Sequence, residues 1–139
     1  MDSERSERQN FNVIMKKKLL LVDDDESIRF VAGLSLEDAW EVLTASSGQE
    51  ALELAIKERP DVILLDMMMP GMNGATTMEH LRKIEGLRDV PIIFMTAKVQ
   101  THEVDDYQRL GAAGVIAKPF DPVKISEQIR QLIKNVMVS

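Results

Sequence analysis

One pattern narrows the fold more than any other: a short apolar run followed by an amphipathic stretch, repeated five times between Leu19 and Val136. Strands that cross over through helices into a parallel sheet read this way, and continuous apolar runs are what a sheet covered on both faces requires. The expected strands are Lys18–Val22, Glu41–Ala45, Val62–Leu65, Ile92–Met95 and Val115–Ala117. The second carries Glu41 and Thr44 and is therefore assigned to an edge. Helix two sets Ala51, Leu54 and Ala55 on one face, with Glu50, Glu53 and Lys57 outward. In helix five, Ile125, Ile129, Leu132, Ile133 and Val136 form one stripe, and Asp121 before Pro122 marks the start as a cap followed by proline. The fold class is α/β, a doubly wound five-stranded parallel sheet flanked by five helices.

The chain of 139 residues is long enough to bury a continuous core without metal or disulfide staples. A formal charge of -6 has the wrong sign for affinity built on phosphate contacts, so direct nucleic-acid binding is not expected. Cysteine is absent, which excludes disulfides, thiolate zinc sites and thiol catalysis. No apolar run reaches the length of a bilayer span, and the mixed charges of Met1–Arg8 do not lead into the apolar core of a secretory signal. A cytoplasmic protein is the expectation. Residues 1–14 read as a flexible tail and 15–139 as one domain, with Met15 before three lysines an alternative natural start. No repeat and no second helical module follow Val136, so no attached output domain is expected.

In a doubly wound sheet, ligands bind beyond the carboxyl ends of the strands near the switch in strand order. Strand one runs into Asp23-Asp24-Asp25, strand three into Asp66, strand four into Thr96, and strand five into Lys118-Pro119. Each has a bland reading alone. An acidic triplet is more often a solvated loop or helix cap, many α/β loops begin with aspartate, Thr96 caps, and Lys118 is a surface cation. Asp25 is assigned that capping role, for the helix containing Ile28, Val31 and Ala32. Placed on one rim together, the groups read acid, acid, hydroxyl, ammonium, and the bland account then needs several coincidences. Met67, Met68, Met69 and Met72 read as loop and core packing, Gly71 and Gly74 as turn residues, and His80 and His102 fit no ligand pattern. No Walker loop or dinucleotide fingerprint occurs.

The segments LLLVDDDESIR, DVILLDMMMPGMNG, IIFMTA and VIAKPF resemble the blocks of bacterial response-regulator receiver domains, from about Lys17 to Val136. The resemblance implies a flavodoxin-like sheet in the order 2-1-3-4-5. It makes Asp66 the phosphoacceptor and Asp23 and Asp24 the acidic pair holding Mg²⁺ with Asp66 and the main-chain carbonyl of Met68. Thr96, with Ala97 beside it, and Lys118 become the phosphate-binding and switch residues, and the Lys118-Pro119 bond is implied to be cis. The partners implied are a histidine kinase or histidine phosphotransfer protein upstream and an unidentified target downstream, met through helix four, strand five and helix five (about Thr101–Leu110, Val115–Lys118 and Asp121–Val136). Such a protein is a phosphoacceptor switch with Mg²⁺-dependent self-phosphorylation and dephosphorylation, not an enzyme acting on other substrates. A stand-alone regulator and a receiver from a longer one both fit, as do a monomer and a weak phosphorylation-dependent dimer.

Physical chemistry supports the assignment independently. Carboxylates crowded at one rim repel one another, and a hard cation with oxygen ligands relieves this. An aspartate with its ordinary pKa near 4 is ionised at pH 7 and needs no general base to attack phosphorus. Two departures from the family pattern stand out. Many receivers carry an aromatic residue three before the lysine; here it is Val115, so switching is expected to rely on the loop after Thr96 and on helix four. Met68 and Lys98 occupy the positions that tune hydrolysis, and neither presents a carboxylate or amide to water, so slow self-dephosphorylation is expected. Three alternatives compete: a haloacid-dehalogenase-type hydrolase, which needs a second acid where Met68 stands; a flavodoxin-like cofactor binder; and a pseudo-receiver that only binds partners.

Overall fold

The computed structural model describes residues 16–97 and 101–137, without the side chains of 101–104 and 135–137. The expected tail, Lys98 and the Val136 end of the last stripe lie outside what is described. Ten elements alternate along the chain: β1 (Lys18–Val22), α1 (Glu26–Leu36), β2 (Glu41–Ala45), α2 (Gly48–Glu58), β3 (Val62–Asp66), α3 (Gly74–Arg82), β4 (Ile92–Thr96), α4 (Thr101–Arg109), β5 (Gly114–Ala117) and α5 (Ile125–Met137). The five strands form one parallel sheet in the order β2-β1-β3-β4-β5, with β2 at an edge as its polar residues required.

Two buried clusters sit on opposite faces. Leu19, Leu21, Val62, Leu64, Ile93 and Met95 pack under α1 and α5 through Ala32, Leu36, Ile125 and Ile129. On the other face Leu20, Val22, Ile63, Leu65 and Phe94 meet α2 and α3 through Ala51, Ala55, Met78 and Leu81, with Tyr107 of α4 at the margin. Adjacent residues of a strand point to opposite faces, so a strand must be apolar throughout when both faces are covered. That is why these strands show continuous runs and not alternation.

The strands extend to the polar groups expected to follow them. Asp66 is the last residue of β3, in register with Met95, and Thr96 is the last of β4, opposite Ala117. Both side chains therefore project from hydrogen-bonded strand ends, which hold their backbones more firmly than a loop would. The start of α5 also differs. Asp121 Oδ1 accepts from the Val123 N–H at 2.9 Å, as a cap does, but Pro122–Lys124 form a turn and the regular helix begins at Ile125.

Helix α3 begins against the end of β3. Asn73 caps it by accepting from the Thr76 N–H at 2.9 Å, and the Gly74 N–H donates to the Met67 carbonyl at 2.9 Å. A β-carbon on Gly74 would lie 2.6 Å from the Asp66 carbonyl oxygen and 2.8 Å from Met67 Cα, and neither backbone atom can yield cheaply. Gly74→Ala is therefore expected to cost about 1–3 kcal/mol, the range for overpacking a close contact, read as a lower urea midpoint. A midpoint equal to that of the wild type would show that the backbone after Asp66 yields freely.

Candidate functional site

At the carboxyl end of the sheet, where the chain order reverses between β1 and β3, Asp23, Asp24 and Asp66 each offer an oxygen atom within 4.8 Å of the others. Asp23 is completely buried and Asp66 nearly so, whereas Asp24 is exposed. Asp25 turns away from the group: its Oδ1 accepts from the Ser27 and Ile28 N–H groups at 2.8 and 3.4 Å and caps α1, as expected. Asp23 is held on several sides. Its N–H donates to the Ala45 carbonyl at 3.1 Å, its carbonyl accepts from Arg29 Nη1 at 2.7 Å, and its Oδ1 accepts from the Asp25 N–H at 2.9 Å.

Lys118 enters from the end of β5. Its Nζ lies 2.8 Å from Asp23 Oδ2 and 3.1 Å from Asp66 Oδ1. The Lys118 N–H donates to the Thr96 carbonyl at 2.9 Å, which ties the lysine to the end of β4, and the Lys118-Pro119 bond is cis as the resemblance implied. Asp66 Oδ1 also accepts from the Met68 N–H at 3.2 Å. Thr96 is buried at its strand end, and Ala97 is exposed beyond it. Val115 is half-buried on β5, Pro119 is exposed, and the Met68 side chain is exposed while Met67 and Met69 enter the core.

Burial pushes the Asp66 carboxyl up to about 6; the Lys118 hydrogen bond opposes this, and the Asp23 charge adds to it. The ordinary pKa near 4 assumed from the sequence is thus corrected by the loss of water around the group. At pH 7 the carboxylate still predominates roughly ten to one. Burial alone would lower the Lys118 ammonium, but hydrogen bonds and charge from Asp23 and Asp66 outweigh it and hold the group above its usual value.

Three carboxylates facing one ammonium leave an excess of negative charge, and Asp23 Oδ2 is buried with no hydrogen bond of good geometry beyond its ion pair. An all-oxygen donor set with uncompensated charge fits a hard divalent cation. Arg29 and Gly74 also hold the site, and neither is a site candidate on sequence alone. Arg29 has no local motif, because its partner is a backbone carbonyl six positions earlier, and Gly74 reads as an ordinary turn glycine.

The structure is thus a doubly wound α/β domain with a lysine-paired acidic cluster at its switch point, the rim where sheets of this class bind ligands. The chain belongs to the response regulator receiver domain family, whose model matches residues 19–130. It is 36% identical over 122 residues to the alkaline phosphatase synthesis transcriptional regulatory protein PhoP of Bacillus subtilis, covering 87% of this chain and 50% of that protein. It is 32% identical over 121 residues to sporulation initiation phosphotransferase F of the same organism, covering 86% of this chain and 96% of that protein. The chemotaxis response regulator CheY4 of Vibrio cholerae superposes with a TM-score of 0.80 at 34% identity, over 85% of this chain and 99% of that one. The chain thus spans about half of one curated relative and nearly all of another. Among the described residues no helix is long and apolar enough to cross a membrane.

The raised Asp66 pKa has a consequence for stability. The folded chain binds this proton more tightly than the unfolded one, so the group's contribution is complete below about pH 4 and is lost as pH rises through about 6. Asp66→Asn, neutral at every pH, avoids that loss. In metal-free buffer at pH 7.5 it is expected to unfold at higher urea concentration, by up to about 3 kcal/mol, since each pKa unit is worth 1.36 kcal/mol. The gap should close towards pH 4; a gap independent of pH would show that burial does not raise this carboxyl.

Proposed function

We propose that this receiver accepts a phosphoryl group on Asp66 from a histidine kinase or histidine phosphotransfer protein and thereby switches its affinity for a downstream partner. The observation that carries the reading is the buried Asp66 carboxylate, 3.1 Å from the Lys118 ammonium and clustered with Asp23 and Asp24. Asp66 attacks phosphorus; an O–P bond forms as the P–N bond to the donor histidine breaks, and that imidazole keeps the bond's electron pair. No general base is needed, because the attacking oxygen is already ionised. Lys118 turns from the carboxylates to a phosphoryl oxygen, and the Thr96 hydroxyl, with Ala97 beside it, meets another. Asp23, Asp24, Asp66 and the Met68 carbonyl would hold Mg²⁺, which when bound screens the charge of the incoming phosphoryl group.

The added charge of roughly -1.5 to -2 redistributes the hydrogen bonds around Thr96 and Lys118. The response is read on the face formed by α4, β5 and α5, which includes Val115. Phosphate-ester turnover in solution is not part of this reading, because Met68 stands where a dehalogenase-type hydrolase needs its second acid. With Met68 presenting only a thioether, water next to the acyl phosphate is poorly oriented and the phosphorylated state is long-lived.

Incubation with Mg²⁺ and acetyl phosphate is expected to add one phosphoryl group to the intact mass of the wild type, removable by hydroxylamine. Asp66→Asn should gain none. Wild type that stays unmodified would sink the proposal and leave a partner-binding pseudo-receiver. A second expectation concerns lifetime: Met68→Asn should shorten the half-life of the phosphorylated protein several-fold, and a half-life of seconds in the wild type would contradict the role given to Met68.

A further inference from the structure

A ring contact joins α4 to the strand bearing Thr96. Tyr107 of α4 and Phe94 of β4 lie with ring centroids 5.4 Å apart and planes tilted by 59°, within the separation at which aromatic pairs attract. Phe94 is completely buried, and it precedes Thr96 by two residues, so both project from the same face of the sheet. Its neighbour across the ladder is Val115, a short side chain that packs with Phe94 and Tyr107 in the same cluster. The aromatic partner of Phe94 on this side of the sheet therefore comes from the helix.

The carboxyl end of α4 is anchored where Tyr107 sits. The Tyr107 carbonyl accepts from the Ala112 N–H at 3.1 Å, and the Ala113 N–H donates to the Ile92 carbonyl at 2.8 Å. Between them Gly111, at φ +101°, reverses the chain, and its carbonyl accepts from Arg82 Nη2 at 3.1 Å. The amino end of α4 follows Thr96 by only a few residues in sequence. One helix is thus attached at two places to the same strand: through the connecting chain after Thr96, and through the Tyr107 ring on Phe94.

We infer that Tyr107 is a positioning residue that couples α4 to the phosphorylation site, the Tyr107–Phe94 ring contact transmitting movement at the Thr96 end of β4 to the helix. A tightly packed ring pair cannot follow a shifting strand by deforming, so the helix must move with it or lose the contact. The hydroxyl plays no part in this coupling. This rests on phosphorylation of Asp66, and it deepens that reading by naming the internal route of the switch.

The test compares wild type, Tyr107→Phe and Tyr107→Leu, each with and without acetyl phosphate and Mg²⁺, by intact mass and by hydrogen exchange of the amides of α4. Leucine keeps an apolar side chain at the margin of the core and removes the ring. The wild type and Tyr107→Phe should show the same change in α4 exchange on phosphorylation. Tyr107→Leu should gain the phosphoryl group equally yet lose most of that change. An undiminished change in Tyr107→Leu would overturn the coupling, as would its loss in Tyr107→Phe, and a role in stability alone would lower the unfolding midpoint without touching the response. A wild type that gains no phosphoryl mass would overturn the site reading and this inference together, and the mass shows it before any exchange is read.

Discussion

The lysine between two buried carboxylates is the interaction on which the rest of the rim depends. Asp23 and Asp66 stand at the ends of adjacent strands, nearly without solvent, where a pair of like charges is costly. Lys118 Nζ, within 2.8 and 3.1 Å of them, is the cation that makes the arrangement tolerable. In the function proposed for this site, the same proximity poises the ammonium, which needs only a change of partner to meet a phosphoryl oxygen. A buried ion cluster of this kind is a poor device for stability, since desolvation offsets much of the attraction.

Much of the remaining structure serves to hold those three side chains in place. Asp23 is fixed by the β2 carbonyl of Ala45, by Arg29 of α1 and by the Asp25 N–H, so its Oδ2 has one direction left to face. Asp66 is fixed by the β3–β4 ladder and by α3, whose first residue has no room for a side chain. Lys118 is tied to β4 by its own N–H. Strand ends therefore carry the candidate site residues, while α4 meets the sheet beside β5 and reaches β4 through the Tyr107 ring.

The family relationship sets the chemistry in a signalling context without choosing the pathway. Relatives of similar sequence include a transcriptional regulator twice the length of the matched region and a phosphotransferase hardly longer than it. The receiver unit is common to both, so partner choice resides in surface residues that the shared fold does not dictate.

All five strands, the edge position of β2, the cap at Asp25 and the candidate rim residues were legible in the chain, because each rests on local chemistry: continuous apolar runs, a short polar side chain before a helix, a charged residue after a strand. Tertiary structure decided what depends on distant partners. It ran β3 and β4 on to include Asp66 and Thr96, because parallel neighbours were there to pair with. It raised the Asp66 carboxyl by taking away its water, brought Arg29 to a backbone oxygen, and set the tilted Tyr107 ring against Phe94 across 13 positions of chain. Sequence determines which groups are available and which way each element faces; the distances between groups on different elements, and hence their charge states, exist only once the sheet has closed around them.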